Sequence, residues 1–206
     1  MLIFLPPKLA FLATPKTGTT AVELALKAHA EIIFANTRKH TPARRFRRRV
    51  VPFVEETFGA RLEGVAVMRD PVEQIKSWFR YRNAARLEGS ELSTEGLSFE
   101  QFVMEVIDDD PPPRAQIGSQ FAFLTGDEGE VLVDHIFAYE SQPAFRTFMT
   151  DRLGRKIKLK VKNVSPSVRT DLSGQATRRL QAAREGEFAL YERLMAAKGY
   201  LHSAQV

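Results

Sequence analysis

The chain contains no cysteine and few histidines. Its 206 residues include no Cys and four His. Without Cys the protein can form no disulfide, no thiolate metal site and no cysteine nucleophile. The histidines are scattered, and none has the H-x-x-x-H spacing of a metal motif: His29, His40, His135 and His202. We therefore expect neither a disulfide-stabilised scaffold nor a metal centre held by this chain.

Long hydrophobic runs are also lacking. Residues 1–7 are apolar, but the run is short, has no basic segment before it and ends in Pro6-Pro7. A signal peptide or a membrane-spanning helix needs a longer apolar stretch. We expect neither, and a cytoplasmic location is the default prediction.

What is present is the composition of a globular protein. Hydrophobic residues make up 44% and charged residues 27% of the chain, and 206 residues suffice for one domain with a full core. We expect residues 1–206 to form a single domain. Because no internal repeat or low-complexity tract is present, neither a repeat array nor a disordered linker is predicted.

The positive charge is concentrated in one segment. The net charge is +5, yet residues 38–49 hold seven Lys or Arg and no acid, which leaves +5 − 7 = −2 for the rest. A local basic patch indicates a polyanionic partner more than a generally basic protein. Within it, we expect three side chains to contact such a partner: Arg44, Arg45 and Arg48.

Alternating apolar segments and helical patterns predict an α/β fold. Strands are expected near residues 9–13, 32–35, 63–68 and 131–137, with helices between them. This alternation is typical of a mostly parallel central sheet flanked by helices. Two further long helices are expected over residues 43–58, split or kinked at Pro52, and over residues 173–198.

A polar turn follows the first strong strand and opens a helix. It reads Pro15-Lys16-Thr17-Gly18-Thr19-Thr20. Unsatisfied N–H groups and the helix dipole favour an anion there, and Gly18 lets the backbone wrap closely around it. Lys16 adds a full charge. In the Walker A motif the Lys follows the last Gly, whereas this chain contains no Gly-Lys pair.

A second anion motif follows the strand at 63–68. It begins Arg69-Asp70-Pro71, where Asp70 suits an N-cap and Pro71 the first helical position. A guanidinium at a strand end can grip a phosphate with two hydrogen bonds, and Ser77 can add a hydroxyl from the helix. Since ligands bind at the carboxyl ends of parallel strands, we expect Lys16 and Arg69 to share one site.

Together the two motifs resemble those of sulfotransferases that use 3′-phosphoadenosine 5′-phosphosulfate (PAPS). The turn at 15–20 resembles their phosphosulfate loop. Arg-Asp-Pro with Ser77 eight residues after the Arg resembles their 3′-phosphate motif, in the same order along the chain. Weaker resemblances to the carbohydrate-type and bacterial branch lie at Lys39-His40, 133–140 and 163–165, so the resemblance covers roughly residues 8–200.

The resemblance implies a P-loop-like turn and a transfer reaction without a metal. Pro15 through Thr20 would cradle the 5′-phosphosulfate, and Arg69 with Ser77 would hold the 3′-phosphate. His40 would be the general base for in-line sulfuryl transfer to an acceptor hydroxyl or, as the less favoured alternative, an amine. The acceptor would be a carbohydrate, and the arginines at 44, 45 and 48 would contact it as an anionic saccharide. Lys16 would neutralise the leaving oxygen of 3′-phosphoadenosine 5′-phosphate (PAP).

The chain departs from the family pattern in two respects. The Gly- and Lys-rich late loop of small-molecule sulfotransferases is absent, which leaves residues 162–165 as a candidate adenine contact. The chain is also short for the family, so the acceptor cleft could be open or could be completed by another subunit.

Three other interpretations stay open at this level, and one of them is a sulfotransferase that folds but is inactive. A P-loop kinase or NTPase would bind ATP with magnesium, although an Arg stands where a Walker B Asp is expected. A non-catalytic polyanion binder would use residues 38–49. Nucleic acid is the less favoured polyanion, since only Phe46 offers a stacking ring in that segment.

Overall fold

Six strands form one sheet in the computed structural model, which describes residues 1–157, 159 and 169–203. Their order across the sheet is β3-β1-β2-β4-β5-β6. The bounds are β1 (Leu2–Phe4), β2 (Leu9–Leu12), β3 (Ile32–Ile33), β4 (Glu63–Met68), β5 (His135–Ala138) and β6 (Tyr200–His202).

The sheet is mixed and belongs to a single α/β domain. The three central strands β2, β4 and β5 pair in parallel. In contrast, β1 is antiparallel to both β2 and β3, and β6 is antiparallel to β5. The predicted mostly parallel arrangement therefore describes only the centre of the sheet. Two strands of three residues each, β1 and β6, carried too short an apolar pattern to be predicted.

Helices cover both faces of the sheet. The bounds are α1 (Thr19–Leu26), α2 (Ala43–Arg45), α3 (Val51–Phe58), α4 (Pro71–Arg82), α5 (Phe99–Val106), α6 (Gln120–Leu124), α7 (Gln142–Leu153), α8 (Gly174–Ala183) and α9 (Glu185–Ala196). Within the described residues, none of these helices has the length and apolarity needed to cross a membrane.

Both long helices expected from the sequence are interrupted. A π-helical segment, Phe46–Val50, joins α2 to α3 just before Pro52. Proline has no N–H, so the regular i→i−4 hydrogen bonding cannot continue through it. The last helix is divided at Arg184, where φ is −121° and the backbone leaves the helical conformation.

Successive side chains of β2 lie on opposite faces of the sheet and so belong to two different hydrophobic cores. Ala10 and Leu12 join the core beneath α2, α3 and α9, whereas Leu9 and Phe11 join the core beneath α1 and α7. This period of two is what a strand buried on both faces requires. A third apolar cluster lies between α4, α5 and α8. The sheet is thus held rigidly, and the carboxyl ends of β2, β4 and β5 lie at one edge.

Candidate functional site

One cleft of about 850 Å³ lies at that edge of the sheet. Its lining includes the segments directly after β2, β4 and β5, as the rule for ligand sites on parallel strands predicts. The residues predicted to act in catalysis or to hold the co-substrate all line this cleft: Pro15, Lys16, Thr17, Gly18, Thr19, Thr20, His40, Arg69 and Ser77. Two motifs about fifty residues apart in the chain therefore face a common space.

The turn after β2 contains two residues in the left-handed backbone conformation. Lys16 and Gly18 both have positive φ, 66° and 75°. A Cβ on Gly18 would lie 3.0 Å from Cε2 of Tyr139, so both the φ angle and the close ring favour glycine there. Gly18 caps α1 without a side-chain hydrogen bond, and the first turn of α1 has no acid. The Ala21 N–H donates to the Gly18 carbonyl at 3.0 Å, so among the described residues the N–H groups of Thr19 and Thr20 are left for another acceptor.

Hydrogen bonds anchor the turn to its surroundings. The Thr17 hydroxyl donates to the Thr14 carbonyl at 2.9 Å, inside the protein. The Gln74 amide of α4 donates to the Pro15 carbonyl at 3.3 Å. The Thr17 hydroxyl proton is therefore engaged within the turn, whereas Thr20 is exposed. The turn is also tied directly to the helix that carries Ser77.

The Lys16 ammonium lies against two aromatic rings of α4. Its Nζ is 4.1 Å from the ring centroid of Tyr81 and 5.4 Å from that of Trp78. Burial lowers the pKa of Lys16 to about 8, and the positive charges of Arg69, Arg86 and Arg82 add to the effect. Lys16 is thus a cation whose pKa lies close to neutral pH, because its side chain is buried among other positive charges.

Arg69 is fixed at the end of β4 by its own backbone. Its N–H donates to Oε1 of Gln120 at 2.8 Å, and its carbonyl accepts from Nε2 of the same residue at 2.9 Å. Gln120 is buried and also donates to Glu187 at 3.0 Å. The paired hydrogen bonds hold the strand end in one position, so the direction in which the Arg69 side chain leaves the backbone is set.

The Arg69 guanidinium has unused donor capacity. It lies 4.7 Å above the Tyr139 ring, and its Nη2 is 3.5 Å from Oε2 of Glu73. Its Nε is buried and has no hydrogen-bond partner among the described residues. A buried donor without a partner is unusual in a folded protein and is costly. An anion in the cleft could satisfy it.

His40 projects from the loop after β3. Its Nδ1 is 2.6 Å from the Ala13 carbonyl. A carbonyl can only accept, so Nδ1 carries the proton and the lone pair of neutral His40 lies on Nε2. Burial lowers the pKa of His40, although the bond to Ala13 opposes the change. This tautomer suits a group that takes a proton through Nε2.

The loop that carries His40 is itself anchored. The Met1 amino group donates to the carbonyls of Phe34 and Lys39, at 3.1 and 2.7 Å. Lys39 forms an ion pair of 2.7 Å with Glu23 of α1. These contacts tie the loop both to the sheet edge and to the helix that follows the turn.

The cleft is strongly positive. Six of its described lining residues are cationic and none is acidic: Lys16, Lys39, Arg69, Arg80, Arg86 and Arg146. Such a lining raises the local concentration of anions. In the described part of the chain, no three His, Cys, Asp or Glu side chains are grouped so as to hold a metal ion.

The basic segment 38–49 lies largely apart from the cleft. Only its first members, Lys39 and His40, line it. Arg44 and Arg48 instead pair with the exposed Asp127, and Arg45 is exposed. The predicted contact of these three arginines with a saccharide in the cleft thus gains no support from their position. The candidate adenine segment, 162–165, lies outside the described residues.

Several cleft residues were missed from the sequence. Trp78 packs partly buried against the third apolar cluster and also lines the cleft. Tyr81 lies one helical turn after both Ser77 and Trp78, and this spacing was the signal that could have placed the two rings beside Ser77. Tyr139 and Arg146 also line the cleft, and nothing in the local sequence pattern indicated their roles. Gln120 could not be found, because it meets Arg69 only through the fold.

Comparison with models of known protein families gives no match to this chain. A search of curated proteins likewise finds none that matches it. The functional assignment therefore depends on the geometry and charge of the cleft and on the resemblance of its two motifs.

Proposed function

We propose that this protein is a PAPS-dependent sulfotransferase that transfers a sulfuryl group to an acceptor hydroxyl, with a carbohydrate as the acceptor class. One observation carries the proposal. A single cleft lined by cations, without a described acid, brings together the 15–20 turn, Arg69, Ser77 and His40. The two motifs that resemble sulfotransferase loops thus face the same space as a histidine with a free Nε2.

The co-substrate would bind by charge and by backbone donors. In this proposal the β2–turn–α1 unit is a P-loop-like phosphosulfate turn, whose free N–H groups and Lys16 hold the 5′-phosphosulfate. Arg69 and Ser77 hold the 3′-phosphate, which gives the buried Nε of Arg69 its acceptor. PAPS carries several negative charges, which matches the excess of cations in the lining.

The reaction would be an in-line displacement at sulfur. The acceptor oxygen forms the new S–O bond while the bond from sulfur to the phosphate oxygen of PAP breaks. His40 takes the acceptor proton through Nε2. Lys16 neutralises the charge that builds on the leaving oxygen, and the N–H groups at the start of α1 stabilise the sulfuryl oxygens.

The rival readings receive less support from the cleft. The Asp70 carboxylate, the candidate magnesium ligand of a kinase, caps α4 by accepting from the Glu73 N–H at 2.9 Å. The arginines of a polyanion binder, Arg44 and Arg48, are partly neutralised by Asp127. A cytoplasmic location and an acceptor cleft completed by a second subunit stay predictions.

A thermal-shift comparison of three nucleotides tests the proposal. PAP at about 100 times its Kd should add roughly 2.7 kcal/mol to the free energy of unfolding. For a chain of this size that raises Tm by about 5–10 °C. Adenosine 5′-phosphate, which lacks the 3′-phosphate, is the matched control and should give a much smaller shift.

The other outcomes point elsewhere. A shift with ATP–Mg²⁺ but not with PAP would replace sulfuryl transfer by phosphoryl transfer. Equal shifts with PAP and adenosine 5′-phosphate would remove the 3′-phosphate role from Arg69 and Ser77. No shift with any nucleotide would overturn the proposal.

A further inference from the structure

The position of Lys16 raises a question that its proposed role does not answer. Its ammonium lies on the wall of the cleft, 4.1 Å from the Tyr81 ring centroid and 5.4 Å from that of Trp78. The two rings are one helical turn apart on α4, and they meet edge to face with centroids 5.8 Å apart. They form a shaped surface for a cation.

The two rings attract the Lys16 ammonium, whereas the arginines beside the rings repel it. Aromatic faces attract ammonium groups, and Lys16 forms no ion pair with a described carboxylate. However, Arg82 lies 5.4 Å from the Trp78 centroid and Arg86 lies 4.3 Å from the Tyr81 centroid. Three cations therefore share two rings, and like charges together with burial make this a weak binding place for a charged amine.

We propose that Trp78 and Tyr81 are positioning residues that seat the Lys16 ammonium on the cleft wall, and that a phosphate or sulfate group bound at the 15–20 turn draws it off the rings. A hydrogen bond between an ammonium and a dianion is stronger than a cation–π contact at a partly exposed site. We call the contact of the Lys16 ammonium with these two rings the Lys16 seat. The identity of the natural anion rests on the proposed function, whereas the Lys16 seat does not.

This competition makes an unusual prediction for affinity. If the ammonium leaves the ring when the anion binds, the cation–π contact favours the free protein and weakens binding. Tyr81→Leu should then tighten PAP binding about two- to fivefold, the fold-change that corresponds to one exposed cation–π contact. Tyr81→Phe keeps the ring and should keep the wild-type Kd. A merely structural role for Tyr81 predicts the opposite, weaker binding in Tyr81→Leu.

Trp78 provides a direct spectroscopic readout, because it is the only tryptophan in the chain. Saturating PAP should change the Trp78 emission in the wild-type protein, excited where adenine does not absorb. Lys16→Met should have an altered emission before any anion is added and little further response. Lys27 is an exposed lysine outside the cleft, so Lys27→Met is the matched control and should respond as wild type.

Tyr81 also contacts Arg86, so a double-mutant cycle isolates the Lys16 contact. In a Lys16→Met background, Tyr81→Leu should leave the PAP Kd unchanged. A two- to fivefold gain in PAP affinity that persists in the Lys16→Met background would assign the effect to Arg86 and contradict the proposed Lys16 seat. Weaker PAP binding in Tyr81→Leu, or an unchanged Trp78 emission at calorimetrically verified saturation, would also overturn it.

Inorganic pyrophosphate, used as a second probe, separates this proposal from the proposed function. An emission change with pyrophosphate but no binding of PAP would support the Lys16 seat and contradict PAPS as the co-substrate. Binding of PAP without an emission change would support PAPS as the co-substrate and contradict the Lys16 seat. No response to either anion would overturn the seat, because its defining property is release of Lys16 to a bound anion.

Discussion

The two ends of the central strands both carry charged side chains, but the charges are mutually paired at one end, whereas at the other only Lys39 and Arg69 of the lining cations have a carboxylate partner among the described residues. At the amino end, Glu63 of β4 accepts from Arg152 at 2.6 Å and from His135 of β5 at 3.2 Å. His135 is also 3.0 Å from the Tyr200 hydroxyl, and Arg152 donates to the Pro7 carbonyl at 2.9 Å. At the carboxyl end, the cleft lining holds six cations and no described acid.

The contrast separates a structural cluster from a binding site. A paired cluster satisfies its own hydrogen bonds, and its removal should be seen in stability. A cluster of like charge weakens the folded protein by self-repulsion, and it is useful when a ligand of opposite charge binds. Variants at the paired end should therefore change the free energy of unfolding, whereas variants at the cleft should change ligand binding or turnover.

The largest effect is expected at His40 in the cleft. His40→Ala should lower turnover by roughly 10²–10⁴-fold, because the acceptor proton loses its base. The PAP affinity should be kept, since His40 bonds the Ala13 carbonyl and not the anion turn. The measurement is PAP release from PAPS in the presence of a saccharide acceptor.

His29 supplies the control for this experiment. It is exposed and lies outside the cleft, beside Arg155. His29→Ala should turn over as the wild type does. If His40→Ala and His29→Ala were equally active, His40 would not be the base.

The next largest effect is expected at Arg69. Arg69→Ala should weaken PAP binding by about 1.5–3 kcal/mol, the scale of a hydrogen bond to a charged group. That is roughly 10- to 150-fold in Kd, which isothermal titration calorimetry can measure. Adenosine 5′-phosphate should bind wild type and variant with similar Kd, because it lacks the group that Arg69 is proposed to hold.

Arg179 is a suitable control for Arg69. It is an exposed arginine on α8 and does not line the cleft. Arg179→Ala should keep the wild-type Kd for PAP. An equal loss of affinity in both variants would mean that general positive charge, and not a specific contact, holds the nucleotide.

The central part of this site could be predicted because its signals are local. A strand, a polar turn and a helix start are contiguous in the chain at 9–26, and Arg69 directly follows a strong strand. Since parallel strands end at the same edge, their following residues meet. This logic is enough to place Lys16 and Arg69 in one cleft.

What could not be predicted depends on contacts distant in the chain. Gln120 holds the Arg69 backbone from 51 positions away, and Asp127 meets Arg44 from 83 positions away. A charge run in the sequence does not reveal which of its charges a distant acid will neutralise. The short strands β1 and β6 were missed for a related reason, because three residues show no clear period and their pairing is decided by the sheet.

A smaller effect is expected from the titration of Lys16 in the cleft. Its pKa is lowered to about 8 by burial and by the neighbouring arginines. As the pH rises through 8, Lys16 of the free protein loses its charge, and the Kd for PAP should rise by up to tenfold per pH unit until the pH passes the higher pKa that Lys16 has beside the bound anion. The phosphates of PAP are fully ionised in this range, since their second pKa is about 6.

The matched variants are Lys16→Arg and Lys27→Arg, measured by calorimetry across the same pH range. Arginine stays protonated, so Lys16→Arg should show no break near pH 8, whereas Lys27→Arg should keep it. A wild-type Kd that stays constant well above pH 8 would contradict the placement of the Lys16 charge beside the anion.

The smallest effect is expected at the paired end of the strands, and it should appear in stability alone. Glu63→Gln removes the charge that Arg152 and His135 bond. Because the Glu63 side chain is 45% exposed, we expect a loss of only about 1 kcal/mol, or about 2–4 °C in Tm. The Kd for PAP should not change, since Glu63 does not line the cleft.

The pH dependence of this loss has a definite sign. Burial raises the pKa of Glu63, but hydrogen bonds from Arg152 and His135 outweigh it and hold the pKa below the ordinary 4.5. The contribution of Glu63 is thus complete above pH 4.5 and is lost as the pH falls through its lowered pKa. The Tm difference between wild type and Glu63→Gln should therefore shrink below pH 4.5.

Glu192→Gln, at an exposed site on α9, should show no such difference. A changed Kd for PAP in Glu63→Gln would mean that the two ends of the sheet are coupled, and that the paired cluster serves the cleft as well as the fold.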